Sequence, residues 1–466
     1  MLPSGVVLAA AAALFAPATA QAGSLSATLA LTSAGTSASD HSIGIASNGD
    51  KTAVWKQNQG PWANPTGEDV RAMRIVVRRV RVVKGGKVTY REDFSARPLV
   101  IHSQKDRFVS EVVSATNPSG TTTVVWGLRD TTGNKVRLLL RRIDPAGRLG
   151  RTVEIAPAGT RATDLDVESA ANGMTTVLWR TDDTVQSWLM LRRIDSRGGL
   201  GSAFQLTPGK GAYFAPSLAT RADGSVAAVW RLDGGANPVV QAIHVDSRGR
   251  KGVPVNIGNP ARFNNDDPDV TMGPGGIAAV AWSERLEGDD GEGVVLMRRI
   301  DSQGKVGRAV ELSRLGGPYK PAIGVASNGT ASIAWDYWDP ATSSIRIRMT
   351  RVTSRYAKSS VLDLGPAGES LVFGYGPELV VSPAGTTTLT WSVVQGGFPA
   401  PVYLQAVRVD GRGAISRVRL VQPYAPSPDL VHLPVIAGSQ GGSALVGFLK
   451  RNFGGSEAQL RLIAWN

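Results

Sequence analysis

One feature constrains this chain more than any other: a tryptophan that returns at a near-constant interval, each time closing a short apolar strand. Trp55, Trp126, Trp179, Trp230, Trp282, Trp335 and Trp391 end the segments TAVW, TTVVW, TTVLW, AAVW, AVAW, SIAW and LTW, and Phe448 in ALVGF takes the eighth place. Successive spacings are 71, 53, 51, 52, 53, 56 and 57 residues, and the long first interval contains insertions. A fixed period of this size marks a repeat architecture, in which each unit buries its apolar face against the next.

Each unit reads as four short strands. The first is a brief alternating segment, as in those starting at Pro216, Pro268, Pro321 and Pro377. A turn follows at Asn48-Gly49, Asp223-Gly224, Asn328-Gly329 and Ala384-Gly385, where glycine tolerates positive φ. The second strand ends at the tryptophan. The third carries a run such as VRLLLRRID or VVLMRRID, and a D-x-x-G turn at Asp144, Asp195, Asp246 or Asp301 leads to the fourth. β-Branched and aromatic content favours strands, and no segment holds a helical period. Four antiparallel strands per unit predict an all-β fold: a β-propeller of eight four-stranded blades, with seven as the alternative if the divergent first unit is an appendage.

The ends of the chain sharpen the count. The last unit stops after its third strand at AQLRLIAWN, while Leu25 to Gly35 (LSATLALTSAG) resembles the outer strands of other units. The N-terminal strand at 25–35 is therefore expected to complete the last blade and close the ring. A signal peptide is expected over residues 1–22, from the apolar run Leu8 to Phe15 and the small residues Ala18, Ala20 and Ala22. Residues 23–466 then form a single propeller domain, expected to be monomeric and secreted or held in the cell envelope. No other apolar run is long enough to span a bilayer.

The unit resembles the generic repeat of bacterial secreted β-propeller proteins and is WD40-like in architecture only. The Gly-His and Trp-Asp marks of WD40 repeats are not present as a set. The resemblance implies a fold and no particular activity.

Composition narrows the chemistry. The chain has no cysteine, so an exported protein must rely on packing rather than disulfides, and thiol catalysis and cysteine metal sites are excluded. Its 51 basic against 38 acidic residues give a net charge of +13, which favours anionic glycans or cell-wall polymers as partners, with a protein partner as a further option. Nothing resembles a nucleic-acid-binding motif, so none is expected as a partner.

Residues that recur in every unit are expected to be structural. Arg142, Arg193, His244, Arg299, Arg351 and Arg408 share one place near the end of the third strand; packing against the next blade is favoured over an anion-binding ring. Function is expected where units differ. The loops between second and third strands, with those between blades, should form one face. The candidate binding residues there are Trp62, Arg129, Asp183, Tyr213, Tyr319, Tyr337, Trp338, Tyr375 and Arg451. Aromatic rings beside carboxylates suit sugars, which stack and hydrogen-bond. The acidic runs Asp266-Asp267-Asp269 and Glu287, Asp289, Asp290, Glu292 read as solvated loops or as calcium ligands, without EF-hand spacing; no other cofactor is expected.

No catalytic signature stands out. The repeated sialidase box is missing, Asp130-Thr131-Thr132-Gly133 matches only a fragment of the quinoprotein docking motif, and the four histidines show no ligand spacing. The sequence thus points first to a binding module presenting a loop-built face to a glycan, wall polymer or protein. The alternative is a glycan-acting hydrolase or lyase on the same scaffold.

Overall fold

A computed structural model describes residues 29–32, 37–59, 67–84, 87–105, 108–130, 135–156, 161–183, 185–234, 237–260, 263–285, 293–314, 320–365, 370–371, 376–394, 402–416, 418–421, 429–439, 442–452 and 458–465. The expected signal peptide lies outside these residues. The chain folds into eight antiparallel blades, an eight-bladed β-propeller. The second blade is representative: Val109–Thr116, Thr122–Arg129, Val136–Ile143 and Val153–Ala156 pair in sequence order from the axis outward.

The ring closes through its termini. Leu29–Ala30 pairs antiparallel with Ala458–Trp465, setting Leu29 opposite Leu462. The Leu31 amide donates to the Leu460 carbonyl at 2.9 Å, and the Leu460 amide donates to Thr32 Oγ1 at 3.1 Å. The final blade thus combines both ends of the described chain, and no free edge interrupts the ring there.

The core is divided among the interfaces between blades. Eight apolar clusters occur among the described residues, and each spans two neighbouring blades. Each holds one of the recurrent large rings: Trp55, Trp126, Trp179, Trp230, Trp282, Trp335, Trp391 or Phe448. The ring of each blade fills the gap toward the preceding one. Trp126, Trp230 and Trp335 are fully buried, and that explains the period, because a blade without its wedge would leave a void between two sheets.

The recurrent arginines form a second link, toward the following blade. Arg193 donates to the Gly224 carbonyl at 2.9 Å and the Ser247 carbonyl at 3.1 Å. Arg299 reaches the carbonyls of Gly329 and Thr353, both at 2.8 Å. Arg351 reaches Gly385 and Arg408 reaches Gly442. The glycines accepting these bonds are the positive-φ residues of the first hairpin turn, as at Gly224 (φ 84°) and Gly329 (φ 78°). The turn glycine and the strand arginine, separate signals in sequence, are two halves of one contact. Burial pulls these guanidinium pKa values down from the ordinary value, since neutral carbonyls supply most of the compensation.

The innermost strands begin earlier than the sequence suggests. The strand expected from Pro216 runs over Ala212–Thr220, and that expected from Pro268 runs over Phe263–Met272. Each is broken by a β-bulge at the proline, between Phe214 and Ser217 and between Asp266 and Asp269. The same bulge recurs around Asp40, Asp164 and Pro434. Proline lacks a donor, so it is tolerated where the ladder is already interrupted.

Candidate functional site

The inner strands surround an axial channel. Its larger part, a cavity of about 760 Å³, opens among the hairpin turns near Arg221, Ser327 and Ser439. A smaller part, about 300 Å³, opens toward the loops between blades beside Lys320. Asp166, Ser217 and Asp269 line both parts and form the waist.

The bulges place these side chains. Asp166, Ser217, Asp269 and Glu378 each follow the bulge or its proline by one residue, so they occupy equivalent positions on the third, fourth, fifth and seventh blades. Asp166 accepts the Leu218 amide of the next blade at 2.7 Å. Asp269 accepts the Ile323 amide at 2.9 Å and the Ser217 hydroxyl at 3.2 Å. In the first blade Ser42 holds this position and accepts the Ser114 amide at 3.2 Å. Glu111, beside the bulge of the second blade, accepts the Leu165 amide at 3.1 Å. These bonds stitch the inner strands together.

Stitching does not exhaust what the carboxyls can do. Burial pushes the Asp166 carboxyl up to about 7, with the nearby Asp269 adding to the shift. Burial and then the Asp166 charge push Glu168, two residues along the same strand, up to about 8. Burial also raises Glu111 and Glu378 to about 7, and Asp269 above its ordinary value. Asp166, Glu168 and Glu378, which line the channel, are therefore carboxyls with raised proton affinity near neutrality. A carboxyl in that state both donates and accepts hydrogen bonds, and it is suited to proton transfer.

Two ion pairs and an aromatic ring flank the inner-strand bulges. Lys56 pairs with Asp40 at 2.9 Å, and Arg180 pairs with Asp164 at 3.0 Å. Both acids sit at inner-strand bulges with positive φ, 37° and 52°. Arg180 and Arg231 lie 5.3 and 5.1 Å from the Phe214 ring centroid.

The structure scatters the residues singled out from sequence. Tyr213 is buried and stands edge-on to Trp230, 6.5 Å between centroids. Tyr337 is buried too: its hydroxyl donates to Asp363 at 3.1 Å, and Arg348 lies 3.8 Å from its ring centroid. Both rings serve packing. Tyr213 falls on an inner strand that already begins at Ala212, and Tyr337 on a second strand that runs on past its tryptophan to Asp339, as two others do to Arg129 and Asp182. Trp338, the next residue in that alternation, is 42% exposed. Arg129 ends its strand, exposed. Asp183 is exposed, pairs with Lys210 at 2.5 Å and caps the Gln186 amide. Lys210, the partner of Asp183, and Tyr213 line a side cleft of about 750 Å³ over the third and fourth blades. Arg451 lies opposite Leu430 and Ala458 in the last blade, its side chain outside the described set. Trp62, Tyr319 and Tyr375 fall outside the described residues, as do Glu287, Asp289, Asp290 and Glu292. Among the described residues no cluster of three or more metal-ligating side chains occurs.

Asp166, Glu168 and Glu378 were not singled out from sequence. Their signal was an acid at one or three residues past a bulge or its proline, legible only once the inner strands are aligned.

No family model matches the chain, and no curated protein does. Among solved structures it is similar to an ulvan lyase, with 11% identity over 72% of this chain and 88% of that one and a TM-score of 0.46. It is also similar to a leech intramolecular trans-sialidase, with 9% identity over 93% and 91% of the two chains and a TM-score of 0.41. A third is an α-L-arabinofuranosidase of Fusarium graminearum, with 12% identity over 66% and 94% and a TM-score of 0.39. The chemistry of this chain is therefore read from its own side chains.

Proposed function

We propose that this protein is an extracytoplasmic glycan-engaging propeller that holds a hydroxyl-rich saccharide in its axial channel. The observation that carries the reading is the larger channel cavity, which Asp166, Glu168 and Asp269 line and whose volume falls in the range of small-ligand sites. Protonated carboxyls match sugar hydroxyls in both donor and acceptor roles. Ionised neighbours oppose an anionic chain at this point, so the channel suits a neutral or amine-bearing saccharide. Channel binding moves the favoured ligand contact away from the loop-face aromatics.

A second reading, hydrolysis, is favoured by one further observation. Asp166 and Glu168 stand two residues apart on one strand, about 6.6 Å between Cα atoms, and both have raised proton affinity. Glycoside hydrolysis uses two carboxyls, one held protonated as the acid.

The test is a panel of neutral, amino and acidic oligosaccharides, followed by titration calorimetry and by release of reducing ends. A ligand whose binding is lost in Glu168→Gln, with folding intact, supports channel binding. Turnover lost in the same variant supports hydrolysis. A well-folded protein that binds and cleaves none of the panel sinks both.

A further inference from the structure

The first blade departs from the other seven in one respect. Its third and fourth strands, Gly67–Lys84 and Lys87–Lys105, have 18 and 19 residues, against 8 for the third strand of the next blade. In that next blade the third strand ends at Ile143 and the turn Asp144 to Gly147 follows. At the equivalent Ile75 the first blade makes no turn. Pairing with the second strand stops at Lys51 opposite Ile75, and the two long strands continue alone from Val76 opposite Ser95 to Lys84 opposite Lys87. Nine further residue pairs at about 3.3 Å each give a two-stranded ribbon roughly 30 Å long, extending from the end of the propeller that carries the hairpin turns.

We propose that this ribbon is a docking arm for a linear anionic glycan, separate from the axial channel. Charge complementarity carries the assignment. Residues 76–96 contain six basic and two acidic residues, net +4. The two acids are both near the base, where Asp93 stands opposite Arg78 and Glu92 opposite Arg79. The outer half, from Val80 to Arg91, carries Arg81, Lys84, Lys87 and Arg91 and no acid at all. Lys84 and Lys87 are directly opposite each other at the tip, a like-charge pairing that costs a ribbon stability. Charge placed only to guard strand edges against aggregation has no need of one sign or of that pair. An isolated two-stranded ribbon is also marginal in water, so a bound polyanion would both neutralise and order it.

The repeat supplies the control. In one variant residues 76–95 are replaced by Asp-Pro-Ala-Gly, the turn that follows Ile143. In a second, Arg81→Gln, Lys84→Gln, Lys87→Gln and Arg91→Gln are combined and the ribbon keeps its length. Retention on immobilised polygalacturonate is measured across a salt series, with thermal melts reporting folding. The parent should bind, and both variants should elute at lower salt. Loss of four charges should flatten the plot of log affinity against log salt by about three. The four-glutamine variant decides the matter if the shortened one fails to fold. Unchanged elution of a folded variant overturns the proposal, and so does retention on phosphatidylglycerol vesicles without retention on polygalacturonate. Asp166→Asn should leave retention unaltered, so a failed channel reading and a failed arm are told apart.

Discussion

Replacing Asp166 by asparagine should change how stability depends on pH, and the sign follows from the channel. The folded carboxyl is raised to about 7, whereas the unfolded one titrates near 4. A group whose folded pKa is raised contributes stability that is complete below the unfolded pKa and is lost as pH rises through the folded one. Between pH 4 and 7 the parent therefore loses stability through this group. A shift of about three pKa units corresponds to about 4 kcal/mol for a group shut off from water, and the open channel reduces this to about 1–2 kcal/mol. Asparagine keeps an oxygen for the Leu218 amide and an N–H where the protonated acid has its hydroxyl, so it mimics the low-pH state. The variant should match the parent at pH 4.5 and exceed it by about 1–2 kcal/mol at pH 8. Urea midpoints at the two pH values measure this. Parallel loss of stability in parent and variant would show that Asp166 does not hold its proton in the folded state, and the account of the waist would fail with it.

Other perturbations test the links between blades. Arg299→Ala strips donors from the buried side of the Gly329, Val352 and Thr353 carbonyls and should cost about 2–4 kcal/mol in urea unfolding; a loss under about 0.5 kcal/mol contradicts the hook. Trp282→Ala should cost about 3–5 kcal/mol, because the ring is 1% exposed and its indole N–H donates to Glu284 at 2.9 Å. Gly44→Ala should cost about 1–3 kcal/mol, since its new methyl would overlap the Thr116 side chain of the next blade, and adding Thr116→Ala should recover part of the loss. His41 runs opposite to Asp166: burial lowers it to about 4, so its contribution is present above pH 6.5 and lost as pH falls toward 4, and His41→Gln should flatten the acid limb of the stability profile.

What was legible in the sequence was whatever the fold repeats. A tryptophan that must wedge every interface, a glycine that must turn at positive φ and an aspartate that must cap the outer turn recur because each blade meets the same neighbours. Asp246 shows the last: its carboxylate accepts the Arg248 and Arg250 amides, both at 2.9 Å. What was not legible depended on strand ends and on depth. Tyr337 follows Trp335 by two residues, so it belongs to the buried face of a strand that continues, yet in sequence it stands in an acidic, aromatic segment that reads as a loop. The bulges of the inner strands have the same effect. They shift the register by one residue, and Asp166 and Asp269 thereby face the axis where simple alternation from the first half of the strand would send them elsewhere.

The inner wall shows where repetition gives way. The inner-strand residue paired opposite the one just before the blade's large ring is a hydroxyl or a carboxyl on five blades: Ser42, Asp166, Ser217, Asp269 and Glu378. On the second, sixth and eighth blades it is Val113, Ala322 and Val435, which are apolar. A purely structural stitch would be served by the serine in every blade, since Ser42 already bonds the next inner strand at normal length. Carboxyls instead occupy three of these five places and carry raised proton affinities that the fold must accommodate. Buried acids of this kind cost stability near neutral pH, whereas serine does not. Asp166, Glu168, Asp269 and Glu378 thus bring carboxyls of the third, fifth and seventh blades to the channel lining. Those carboxyls are not needed to close a ring of eight blades, and they are the physical reason the axial waist, rather than the loop face, is the better place to look for the ligand.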